Sequence, residues 1–117
     1  RELASQKSED DFIASEELVG KVLVQLSENP QLTMVLEELL TSDGSELYLR
    51  PAAHYVELGA EVPFGAIVAA GLSRKELAIG ILKIYSTGKH SELLMALKKI
   101  DSITLGAEDS IVVVAQD

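Results

Sequence analysis

Along the chain the apolar positions change their period, and each change marks an element. Leu18, Val19, Val22, Leu23 and Leu26 recur at three- and four-residue steps, which is one face of an α-helix. Ser15 is a good N-cap for it, and Glu16 and Glu17 stand in the first turn, where the helix dipole favours negative charge. Asn29-Pro30 breaks this helix, since proline clashes with the preceding turn. A second helical stripe follows over Gln31–Thr41, at Leu32, Val35, Leu36, Leu39 and Leu40. Ser42-Asp43-Gly44 stops it, with Gly44 able to take the left-handed cap. Residues 15–44 therefore predict a helical hairpin.

From Ser45 the period drops to two. Ser45–Pro51 alternates as a strand that stops at proline. Gly59–Val62 reads as a turn, and Pro63 suits the first position of a helix continuing through Phe64, Ile67, Val68 and Leu72. After the polar turn Ser73-Arg74-Lys75, Glu76–Tyr85 is apolar on both faces and predicts a central strand. His90–Ile100 shows helical spacing at Leu93, Leu94, Leu97 and Ile100, with His90 at its start as a capping or solvent residue. Ser102–Leu105 and Ser110–Ala115 predict two closing strands around a Gly106–Asp109 turn. At the other end, residues 1–14 read as a polar linker whose Asp11–Ser15 run is a short strand, the last of an upstream domain. The fold class is α+β: a helical hairpin, then a small mixed subdomain of about four strands over 45–117.

Composition narrows the function. The 117 residues hold 47% apolar and 25% charged positions, an ordinary globular balance for one domain. A formal charge of −9 and 4% aromatics without Trp argue against a nucleic-acid partner. The acid is concentrated: residues 1–46 carry 3 basic and 11 acidic side chains, a net of −8. With no Cys there is no thiol catalysis, disulfide or thiolate metal site. No apolar run approaches the ~20 residues of a membrane-spanning helix, and no signal-peptide pattern is present. The chain starts at Arg1 rather than Met, so it is expected to be part of something longer.

Two stretches carry a resemblance. DDFIASEELVGKVLVQLSENPQLTMVLEELLTSDGSELYLRPA resembles the segment of Castor/Pollux-type ion channels and their bacterial relatives that links the halves of a regulator-of-potassium-conductance domain. In that family a strand leads into a helix-turn-helix and then a strand ending in Arg-Pro, here Arg50-Pro51. DSITLGAEDSIVVVAQD is similar to the closing hairpin of the C-terminal, TrkA-C-like subdomain. Its family Gly-Asp turn is altered here, because Gly106 stands three residues before Asp109. The resemblance implies a regulatory C-terminal region on the cytoplasmic side of a membrane protein, or in the cytoplasm. It also implies an upstream nucleotide-binding domain, where a dinucleotide would bind, and a membrane pore. No GxGxxG occurs in the chain, so no cofactor is expected in this region.

Candidate chemistry is sparse. No nucleophile, base and orienter set occurs, so no enzyme activity is expected. His54 and Glu57, spaced i, i+3, would share a face on a helical turn, but no metal site is assigned. Arg50 ends a strand, and its guanidinium suits phosphate or carboxylate; the competing reading is a structural ion pair. A cleft for a small anionic ligand is expected between Arg50 and the helix start at Pro63, rimmed by His54, Tyr55 and Glu57. Arg74-Lys75 is a weaker anion contact. The hairpin stripe, Leu18, Val22, Leu26, Leu32, Val35, Leu36 and Leu39, is expected to form a homodimer or higher oligomer interface, since it exceeds what one small core covers. The function expected is a non-enzymatic regulatory, ligand-sensing and oligomerisation module of a potassium or other cation channel or transport protein. The alternative is a free-standing small-molecule-binding domain of another transport or transcription regulator.

Overall fold

The computed structural model describes residues 4–6, 12–42, 44–85 and 90–116. Among them are strands β1 (Ala4–Gln6) and β2 (Phe12–Ala14), helices α1 (Glu16–Leu26) and α2 (Pro30–Ser42), and strand β3 (Glu46–Pro51). A short 3-10 turn (Ala52–His54), β4 (Glu61–Pro63), α3 (Phe64–Ser73), β5 (Leu77–Tyr85), β6 (His90–Met95), β7 (Ser102–Thr104) and β8 (Ser110–Ala115) follow. Six strands form one antiparallel sheet in the order β1-β2-β3-β8-β5-β6; β4 and β7 pair separately. The fold is α+β.

The sheet is the middle of three layers, and strand alternation decides which residue goes where. Leu47 and Leu49 of β3, Val112 and Val114 of β8, and Leu82 of β5 face the helical hairpin. Tyr48 of β3, Ile111 and Val113 of β8, and Ile81 of β5 face α3 and the Tyr55 and Leu105 loops. β8 is buried on both faces, which is why Ser110–Ala115 is an unbroken apolar run. β5 carries a bulge between Ala78 and Gly80, so Ala78 and Ile81 reach the same core although they stand three positions apart. Gly80 permits the pairing beside it: a Cβ there would stand 2.3 Å from the Met95 sulfur and 2.7 Å from the Leu94 carbonyl.

The hairpin forms as its caps and stripes dictate. The Ser15 hydroxyl accepts from the Leu18 N–H at 3.2 Å, and Gly44 has a φ of 72°. Its burial corrects the interface expectation. Leu18, Val22, Leu26 and Leu36 are at most 6% exposed, packed on Leu47, Leu49, Leu82, Val112 and Val114 of their own chain. Each such side chain contributes about 2 kcal/mol to the fold and has no apolar surface left for a second copy. Leu39 is partly buried on the same cluster, while Leu32 and Val35 stay exposed.

A second correction concerns residues 90–100. The helix expected there is strand β6, paired with β5 from Tyr85↔His90 to Gly80↔Met95. Leu93 and Met95 pack towards the hairpin and Leu94 towards the other core, an alternation of period two. Ile100, which completed the helical spacing, is 83% exposed. With β4 and β6 the described residues after 45 hold six strands rather than about four.

Candidate functional site

Among the described residues two carboxylates are buried, Glu76 and Asp109. Glu76 stands just before β5, and the turn that brings it there is tight. At the end of α3 the Arg74 and Glu76 N–H groups both donate to the Gly71 carbonyl at 2.9 Å, and the Lys75 N–H donates to the Leu72 carbonyl at 3.0 Å. Lys75 sits in the left-handed region with a φ of 63°, a conformation glycine usually supplies. The turn sends the Glu76 side chain inward, to 6% exposure.

Three donors meet it. Arg50 Nε lies 3.0 Å from Oε2, Arg74 Nε lies 3.4 Å from Oε1, and the Tyr55 hydroxyl donates a short hydrogen bond to Oε1. Arg50 and Tyr48 are two apart on β3 and share a face, so the guanidinium runs back over the Tyr48 ring, 4.3 Å from its centroid. Tyr55 arrives from the 3-10 turn after Pro51, its N–H bonded to the Ala52 carbonyl at 2.9 Å. Burial holds the Tyr55 phenol well above its ordinary pKa; the hydrogen bond to Glu76 and its negative charge add to this, against the opposing pull of Arg74 and Arg50. Tyr55 therefore stays a neutral donor.

Beside this cluster opens a cleft of about 610 Å³. Ser45, Arg50, Arg74, Lys75 and Glu76 supply its polar lining, and Leu39, Leu72, Leu77 and Val114 its apolar part. Leu72 is 60% and Leu77 38% exposed, high values for leucine.

Asp109 is fixed differently. Its carboxylate accepts from the Gly106 N–H at 2.8 Å, the Ile84 N–H at 2.9 Å and Lys83 Nζ at 2.8 Å. Burial pushes its pKa up, but these three donors outweigh that and hold it below the usual carboxylate value. The four-residue Gly106–Asp109 turn is thus closed by the Asp side chain on the glycine's own N–H, which accounts for the spacing between them. Lys83 also donates to the Thr104 carbonyl at 3.1 Å, so the turn is tied to β5 and β7.

The expected site is partly assembled. Arg50 and Tyr55 meet, through Glu76. His54 and Glu57 are exposed, and no hydrogen bond or ion pair between them occurs among the described residues. The expected cleft position is corrected as well. The first N–H groups of α3 are already bonded, Phe64 to the Asp101 carbonyl at 2.8 Å and Gly65 to the Lys99 carbonyl at 2.9 Å, which leaves no anion cradle there. The cleft lies instead at the C-terminal end of α3 and the start of β3. Glu76 was not singled out from sequence; the signal was a lone acid heading an apolar strand, straight after Arg74-Lys75. Among the described residues, no group of three or more His, Asp or Glu gathers for a metal ion. Among them too, no helix is long and apolar enough to cross a membrane.

No family profile matches the chain. Curated relatives do. Ion channel DMI1 of Medicago truncatula is 38% identical over 80 residues, 68% of this chain and 9% of that protein. Ion channel CASTOR of Lotus japonicus is 35% identical over 80 residues, again 68% and 9%. Probable ion channel POLLUX of Arabidopsis thaliana is 36% identical over 80 residues, 68% of this chain and 10% of the relative. The chain spans about a tenth of the length of these relatives. Over that stretch the protein is a homologue of Castor/Pollux-type ion channels, the relation that the LEELL…ELYLRPA block points to.

Proposed function

We propose that this chain is a non-enzymatic regulatory module of an ion channel, sensing a small anionic ligand in the Glu76 cleft. The observation that carries the sensing role is the cleft itself: an open cavity flanked by Arg50, Arg74 and Lys75 in a chain of net charge −9. The likeness to ion channels supplies the context. A ligand that binds one arrangement of the module more tightly than another shifts its equilibrium, and an attached pore follows.

In the same reading the module works as a homodimer or higher oligomer. The contact falls to the exposed part of α2, Leu32 and Val35, rather than to the stripe that the sheet already covers. Current recordings from the channel polypeptide bearing this sequence test the proposal. Replacing Arg74 by Ala is expected to move anion-dependent gating to about tenfold higher anion concentration. Gating that responds to anions equally in both forms would count against it. Light scattering of Leu32→Glu/Val35→Glu tests the assembly: a shift to monomer is expected, and unchanged mass would contradict it.

A further inference from the structure

Charge separates the cleft beside Glu76 from the other large hollows among the described residues. The cleft between α1 and β6, about 630 Å³, has Glu17, Lys21 and Glu92 on its walls. The one between the two hairpin helices, about 560 Å³, has Glu37 and Glu38 and no cation. The Glu76 cleft has three cations against one carboxylate, a formal charge of +2. In a chain of −9 that concentration marks a place for an anion.

The three cations are not equivalent. Arg50 has a side chain 12% exposed, bonded to Glu76 at 3.0 Å and laid over Tyr48. Arg74 is 41% exposed and its bond to Glu76 is the longest of the set at 3.4 Å. Lys75 is exposed, with no ion pair or hydrogen bond from its side chain among the described residues. Arg50 and Tyr55 therefore keep the buried carboxylate satisfied while Arg74 and Lys75 turn to an incoming group. The left-handed backbone at Lys75 disfavours any side chain, yet a lysine stands there and lines the cleft.

The geometry points to an organic phosphate monoester as the ligand, its dianionic group held by Arg74 and Lys75. This inference rests on the sensing role proposed above and names its ligand class. A phosphate monoester carries a charge of about −1.5 to −2 at pH 7, which matches the lining; a carboxylate would leave half of it uncompensated. A cleft of about 610 Å³ exceeds what a bare phosphate fills. Leu39, Leu72 and Leu77 offer the organic part an apolar wall. A planar guanidinium beside an ammonium is a suitable pair of donors for phosphate oxygens.

The test is calorimetric titration of the chain with phenyl phosphate, with benzoate and inorganic phosphate as comparators, at low salt and neutral pH. Phenyl phosphate is expected to bind with a stoichiometry of one per chain, at least about tenfold more tightly than either comparator. Arg74→Ala and Lys75→Gly are each expected to weaken it about tenfold, the worth of one charge-assisted contact. Lys75→Gly separates binding from folding, because glycine fits the left-handed backbone and its melting temperature is expected to be no lower than that of the unsubstituted chain. Binding is expected to fall below about pH 6, as the phosphate dianion takes up a proton and becomes a monoanion. Phenyl phosphate affinity unchanged in Lys75→Gly would overturn the assignment. Benzoate binding as tightly, with the same dependence on Arg74 and Lys75, would overturn the phosphate class and leave the sensing role standing. No binding of any of the three anions would remove both.

Discussion

Glu76 and Asp109 are similar in burial and in having a cation within reach, yet they belong to two kinds of region. Asp109 is held by two backbone N–H groups and by Lys83. Backbone donors cannot swing away, so the carboxylate acts as a staple that ties the Gly106–Asp109 turn to β5. Among the described residues Glu76 is held by side chains alone, Arg50, Arg74 and Tyr55, beside an open cleft. Side-chain donors can be shared with or lost to a ligand. A buried charge bonded by the main chain is architecture; one bonded by side chains at a cavity wall can respond to what enters the cavity.

Substitutions sharpen that contrast. Asp109→Ala strands Lys83 and two N–H groups, and is expected to cost about 3 kcal/mol or more in denaturant unfolding. Phenyl phosphate binding should be untouched at denaturant levels where the variant is folded. Glu76→Gln keeps a polar acceptor but removes the negative charge that Glu76 sets beside Arg50 and Arg74, so about 2 kcal/mol is expected. The same variant should bind phenyl phosphate more tightly, since the internal competitor for Arg74 is gone. Looser binding would mean that Glu76 positions the arginines and does not compete for them. Arg74→Ala, with its long, half-exposed ion pair, is expected to cost under about 1 kcal/mol.

The two carboxylate regions also divide the pH profile. Asp109 has a pKa below its unfolded value of about 3.9, so its contribution is complete above that pH and is lost as pH falls through the folded value. Tyr55 is shifted the other way. Its contribution is complete below about pH 10 and is lost as pH rises towards its folded value. Melting temperatures are therefore expected to show an acid limb that flattens in Asp109→Asn and an alkaline limb that flattens in Tyr55→Phe. Limbs unaffected by both changes would detach these groups from the pH dependence.

Much of the fold was legible because local signals agreed with one another. Ser15, Asn29-Pro30 and Gly44 bracket the hairpin, a period-two run marks β3, and runs apolar on both faces mark β5 and β8. Residues 90–95 misled because Leu93 and Leu94 fit both a helical stripe and a strand with two buried faces; pairing with β5 decided between them. The hairpin stripe showed that one face is buried, but periodicity carries no information about the partner, which proved to be the chain's own sheet. Arg50 stood out by residue type and position. Where its guanidinium goes depends on the alternation that sets it over Tyr48, and on Glu76, a single residue with no pattern around it.

The central claim is that the Glu76 region responds to a ligand and the Asp109 region does not. Amide chemical shifts, followed residue by residue as phenyl phosphate is added to the chain, test this most directly. The account predicts saturable shifts at Ser45, at Arg74–Leu77 and at Val114–Gln116, while the Gly106 and Ile84 amides bonded to Asp109 stay still. Shifts centred on the first turn of α3, or equal movement at both carboxylates, would contradict it.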